Sequence, residues 1–185
     1  MDADGSNVHR LTHTPGSGKF SSDQDWSPDG NWIAFDSNRN GNEEIYVMSS
    51  DGSNVKRLTD TPGKHHSYNP QWSPDGKRIA FSSTRDGSSD NVFESVEIYT
   101  MDTDGSNVRR LTHATDEGYT SSDAKWSPDG KKIAFLSGPG AKSRHCYKSR
   151  RTRWGKSQEI YVMDADGSNV RRLTFNKASD AHPDW

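Results

Sequence analysis

Residues 72–81 read WSPDGKRIAF, and nearly the same ten residues stand at 26–35 as WSPDGNWIAF and at 126–135 as WSPDGKKIAF. Trp185 stands where a fourth copy would begin. In Ser-Pro-Asp-Gly the proline presets φ at the second turn position, and the glycine takes a backbone angle that a side chain would forbid, so the chain reverses there. Such a turn needs short extended runs on both sides.

Those runs are present. "KRIAFSS" follows the turn at 77–83 and "EIYTM" stands at 97–101, with "EIYVM" at 44–48 and 159–163. They are dense in β-branched and aromatic residues and too short and turn-bounded for helices. Each EIY run passes into a further repeated phrase: MDADGSNVHRLT from Met1, MSSDGSNVKRLT from Met48, MDTDGSNVRRLT from Met101 and MDADGSNVRRLT from Met163, at spacings of 47, 53 and 62 residues. Asp-Gly signals another reversal. "NVRRLT" is expected to alternate outward charge with inward Val and Leu. The unit is thus four antiparallel strands.

Composition bounds how such units pack. Only 28% of the 185 residues are hydrophobic, which is too little for one thick core, whereas six Trp and 10% aromatics argue against disorder. A four-stranded sheet with one or two apolar residues per strand cannot bury both faces alone. Sheets of this kind stack radially, each covered by its neighbour, as the blades of an all-β propeller. The Trp at each blade start (Trp26, Trp72, Trp126, Trp185) and the IAF and IY residues are then packing residues between blades. No 3.6-residue apolar period survives between the turns, which excludes a helical solenoid. No stretch approaches the ~18 apolar residues of a membrane span. The single Cys146 excludes an internal disulfide and a multi-cysteine zinc site.

"PQWSPDGKRIAF" from Pro70, followed by "EIYTMDTDGSNVRRLT" at 97–112, resembles the WD-repeat-like propeller unit of the TolB family. The resemblance covers almost the whole chain outside loop insertions, and three different phrases recur in fixed order. It implies a bacterial or archaeal propeller that binds protein or peptide partners, in a periplasmic or other extracytoplasmic setting. The family's namesake contacts a peptidoglycan-associated lipoprotein. Neither a signal-peptide layout nor that namesake's N-terminal α/β domain is found in these residues. Complete blades are expected at about 20–59, 66–112 and 120–174, with partial blade strands at 1–12 and 178–185. About 4–8 blades close a ring. The chain is therefore expected to be a piece of a longer propeller, or else to pair with a second copy.

Candidate chemistry weighs against catalysis. The Asp-x-Asp-Gly-Ser-Asn loops, with Asp2 and Asp4, Asp102 and Asp104, and Asp164 and Asp166, offer closely spaced oxygens of the kind calcium takes. The second copy has Ser49 in the first position, and no Glu falls where a bidentate ligand would, so they read as turns. Gly155-Lys-Ser157 lacks the glycine of a phosphate loop, with Arg150 in its place. No Gly-x-Ser-x-Gly elbow is present, and His182, between Asp180 and Asp184, reads as a solvated or structural histidine. Glu44, Glu97 and Glu159 recur before each IY, as Arg39 and Arg85 do before the first two. This suggests a structural ion pair. The expectation is no active site, no cofactor and no metal.

A partner would meet polar residues at the channel mouth. Three residues before each Trp stand Asp23, Asn69, Asp123 and His182, and one before stand Asp25, Gln71, Lys125 and Asp184. On a regular strand these pairs share a side and could ring the channel, accepting a peptide's amides or basic ends, or a cation. The competing reading is that they only satisfy backbone groups of the adjoining blade. A second candidate is the stretch 138–158, which lengthens the third blade's central hairpin and carries seven Lys or Arg and no acid from Ala141 to Lys156, with Tyr147 and Trp154 interleaved. That mixture suits nucleic acid or an acidic partner. A solvated loop is the preferred reading and nucleic acid is not the expected ligand. The function expected is a non-catalytic scaffold for protein or peptide partners. The alternatives are a gating propeller of a prolyl-oligopeptidase-like or tricorn-like peptidase, and an acidic-partner or nucleic-acid binder acting through 141–156.

Overall fold

Each Ser-Pro-Asp-Gly segment closes a hairpin on a hydrogen bond from its glycine N–H to the serine carbonyl, at 2.9, 2.9 and 2.8 Å for Gly30, Gly76 and Gly130. The serine hydroxyl donates to the aspartate of the turn and accepts the amide that opens the next strand, as Ser73 does with Asp75 (2.6 Å) and Arg78 N–H (2.9 Å). The serine's amide, carbonyl and hydroxyl, the glycine amide and the aspartate carboxylate are thereby used locally, which favours the phrase recurring almost unchanged.

The computed structural model describes residues 4–13, 16–87, 95–114, 119–139, 158–175, 179–181 and 183–185. Twelve strands form three four-stranded antiparallel sheets with no helix among the described residues beyond a single 3₁₀ position. Blade 1 holds β1 (Ser21–Trp26), β2 (Trp32–Ser37), β3 (Glu44–Ser49) and β4 (Lys56–Arg57). Blade 2 holds β5 (Ser67–Trp72), β6 (Arg78–Ser83), β7 (Glu97–Asp102) and β8 (Arg109–Arg110). Blade 3 holds β9 (Tyr119–Trp126), β10 (Lys132–Pro139), β11 (Glu159–Asp164) and β12 (Arg171–Arg172). Within each blade the strands neighbour one another in chain order, as propeller blades require.

The core lies in the seams between blades. Trp72 packs with Ala34, Ile45 and Val47 of blade 1 and with Ile79, Phe81, Tyr99 and Met101 of its own blade. Trp126 sits likewise among Ala80, Ile98 and Leu111 of blade 2 and Ile133, Phe135 and Met163 of blade 3. Both are 9% exposed, whereas Trp26 is 51% and Trp185 50% exposed. The two buried Trp are thus those that have, among the described residues, both a blade before them and a complete blade of their own. The other face of blade 1, with Ile33, Phe35, Tyr46 and Met48, is packed by Leu11.

A backbone contact locks every seam. Gly105 has φ +92°, and a Cβ there would lie 2.7 Å from the carbonyl oxygen of Leu58 in the preceding blade, so both the angle and the space demand glycine. Gly167 meets the Leu111 carbonyl in the same way, and Gly52 that of Leu11.

Two expectations about side chains are corrected. Glu44, Glu97 and Glu159 pair with Arg57 (3.0 Å), Arg110 (2.8 Å) and Arg172 (2.6 Å) of the outermost strand, not with Arg39 or Arg85. Register is the reason, since β3 pairs β4 with Tyr46 opposite Arg57, which brings that guanidinium back to the head of β3. Arg39 instead lies 5.0 and 4.9 Å from the ring centroids of Phe35 and Tyr46, and Arg85 lies 5.0 Å from both Phe81 and Tyr99. In "NVRRLT" the second arginine turns partly inward, and so do Leu58 and Leu111 but not the exposed Leu173, while Val55, Val108 and Val170 are exposed. A glutamate that is buried at the strand head draws the arginine in and displaces the valine.

Candidate functional site

The residue three before each Trp has a backbone reason to be Asp or Asn. Asp23, Asn69 and Asp123 adopt φ of 47°, 53° and 54°, the left-handed region that these short polar side chains tolerate best among non-glycine residues. Each sits where the innermost strand slips register against its neighbour, between Ser22 and Asp25 in blade 1 and between Tyr68 and Gln71 in blade 2. The bulge breaks the simple alternation expected for these strands and re-aims the side chains.

The outcome is a cleft of about 330 Å³ lined by Asp23, Asn69, Gln71, Asp123, Ala124 and Lys125. Five of the eight candidate residues therefore meet. The Asn69 side-chain amide donates to Asp123 Oδ1 at 2.5 Å, joining blades 2 and 3, and Gln71 donates to the Pro70 carbonyl at 2.9 Å. Asp25 is drawn elsewhere: its carboxylate accepts the Trp72 N–H at 2.7 Å across the first seam. Burial raises its pKa, with the Trp72 hydrogen bond and the charge of Lys125 opposing. Asp184 is exposed and accepts the Trp185 N–H, while the Trp185 indole N–H reaches the Lys125 carbonyl at 3.0 Å. His182 and the basic residues 141–156 lie outside the described residues.

Beside the cleft stands a carboxyl pair that the repeat pattern did not single out. Asp36 is fully buried, accepts the Ser22 hydroxyl at 2.7 Å and accepts the Asn69 N–H at 3.3 Å. Glu43 is hydrogen-bonded to it, and burial, then the charge of Asp36, push the Glu43 carboxyl up to about 7. Asp36 is likewise raised, first by burial. The blade 2 residues that occupy these positions are Ser82 and Val96, and those of blade 3 are Leu136 and Gln158. The signal was present in the sequence as a departure from the repeat rather than as a part of it.

The turn carboxylates with calcium-like spacing take hydrogen bonds from their own loops, as Asp104 does from Ser106 N–H (2.8 Å) and Asp102 from the Asn107 amide (2.7 Å).

Comparison with known proteins follows the same lines. An uncharacterized protein of Agrobacterium fabrum is 36% identical over 140 residues, covering 74% of this chain and 45% of that protein. The Tol-Pal system protein TolB of Geobacter sulfurreducens is 38% identical over 81 residues, covering 43% of this chain and 15% of that protein. The chain thus spans less than half the length of these curated relatives. Among solved structures, a putative TolB from Agrobacterium tumefaciens superposes with a TM-score of 0.65 at 28% identity, covering 89% of this chain and 51% of that one. Residues 17–152 match the family model of the TolB β-propeller domain, and with three blades built on its repeated phrases the chain belongs to that family.

Proposed function

We propose that this chain is a non-catalytic propeller segment that holds a protein or peptide partner at the cleft formed by Asp23, Asn69, Gln71, Asp123 and Lys125. The observation that carries this reading is the convergence of these five residues on one cavity by three bulged inner strands. Strand bulges that re-aim side chains are found beside binding sites. The cleft offers carboxylate oxygens at Asp23 and Asp123 and amide groups at Asn69 and Gln71, a set suited to peptide N–H groups and to a cationic end. Similarity to TolB proteins supports a protein partner and an extracytoplasmic setting.

Panning a random peptide library on the purified chain tests the reading. Selected peptides should lose binding to the Asp23→Asn/Asp123→Asn variant, which removes both charges but keeps side chains that tolerate the left-handed φ and an acceptor for Asn69, while its melting temperature stays close to wild type. Peptides that bind this variant as well as the parent would place the partner surface elsewhere.

A further inference from the structure

The grooves at the two seams are built alike but differ in size and in the residue at one position. Between blades 2 and 3, the guanidinium of Arg78 lies 6.0 Å from the Trp126 ring centroid, in a groove of about 300 Å³ between the turns that carry Asp75 and Asp129. The charge of Arg78 reaches Asp75. Aromatic face, flanking carboxylates and a resident cation form one unit.

The preceding seam repeats every part of this unit except the cation. Trp72 stands for Trp126, and Asp29 and Asp75 stand for Asp75 and Asp129. At the position of Arg78 the chain has Trp32, which is 38% exposed. The groove there is about 740 Å³, more than twice the size of its neighbour, and is extended by Val47, Lys56 and Asp104. Its acids outnumber its bases, and the single lysine is directed to the Asp104 carbonyl at 3.0 Å. Asp29 and Asp75 are held below the ordinary carboxylate range, first by the serine hydroxyls of their turns, so both carry charge at neutral pH.

We propose that this groove binds an arginine side chain of a partner polypeptide, stacked on the exposed Trp32 with Asp29 and Asp75 beside it and Trp72 beneath, as an external counterpart of Arg78 against Trp126. A guanidinium suits the site better than an ammonium because its flat, weakly hydrated surface stacks on indole while its edge donates to carboxylates. The groove shares no residue with the cleft at Asp23 and Asp123, so the two sites stand or fall separately.

The test uses the whole chain and two blocked tripeptides, Gly-Arg-Gly and its uncharged citrulline counterpart, followed through the tryptophan indole resonances. The arginine peptide should move the Trp32 and Trp72 signals and the citrulline peptide should bind about tenfold more weakly. Trp32→Arg supplies the groove with its own cation, as blade 2 already does with Arg78, and should remove binding in a folded protein. Asp75→Asn, which keeps the turn, should weaken binding several-fold. Absence of movement at Trp32, equal binding of the two peptides, or unchanged binding to folded Trp32→Arg would overturn the proposal.

Discussion

The main-chain N–H of Trp72 donates to Asp25 Oδ2 at 2.7 Å, so the first strand of blade 2 is fastened to the first strand of blade 1 by a side chain that the sequence pattern placed in the channel. Removing the acceptor leaves a partly buried amide without its partner. Asp25→Ala should therefore cost about 1–3 kcal/mol. Asp25→Asn keeps an acceptor and sheds a charge that burial disfavours, so its melting temperature at pH 7 should stay within a few degrees of wild type or rise.

Tryptophan truncation should depend on the blade. Trp72→Ala, at a seam with both blades present, should cost about 3–5 kcal/mol. Trp26→Ala should cost less than about 2 kcal/mol, because half of that side chain is already exposed. Chemical denaturation of the two variants compares them directly, and equal losses would contradict the seam assignment of Trp72.

Arg110→Ala should be among the costly surface-proximal substitutions, because it removes the cation from beside Glu97, which is 1% exposed and would keep only neutral donors such as the Thr112 hydroxyl. Loss of one member of a buried pair costs about 3–5 kcal/mol, and the partial exposure of Arg110 puts the expected value at the low end. A double-mutant cycle should show coupling between Arg110 and Glu97 well above that between Arg85 and Glu97. Comparable coupling would restore the pairing expected from the sequence.

The Asp36–Glu43 pair should make stability depend on pH. Glu43 has a folded-state pKa of about 7, above its unfolded value of 4.5, so the folded chain binds more protons than the unfolded chain between these limits. The pair's contribution is fully present below the unfolded value and is lost as pH rises through about 7. The melting temperature should fall between pH 5 and pH 8 in the wild type, and Glu43→Gln should flatten that part of the profile. An unaltered slope in Glu43→Gln would assign the dependence to other groups.

Sequence exposed the reversals and strands because their chemistry is local: Ser27 bonds Asp29, Gly30 and Trp32 within five residues, and Pro28 presets the turn between them. Pairing of Glu44 with Arg57 was hidden because it depends on the register of β3 against β4, which no single stretch encodes. Five of the candidate cleft residues were legible as recurrent polar positions, yet their common reason, a left-handed bulge residue in each inner strand, follows from pairing with the second strand. Asp36 and Glu43 carry no repeat signal because they are where blade 1 departs from its neighbours.

The contact of Gly52, Gly105 and Gly167 with the leucine carbonyl of the segment before them makes each junction interchangeable with the next. A unit cut at one of these glycines presents the same socket and the same plug whichever neighbour it came from. Exchange of whole blades in frame would therefore preserve this contact, and only the seam-specific bonds of Asp25 with Trp72 and of Asn69 with Asp123 would need redesign. Asp36, Glu43 and Trp32, which occur in only one of the three blades, would then travel with blade 1 as portable cargo.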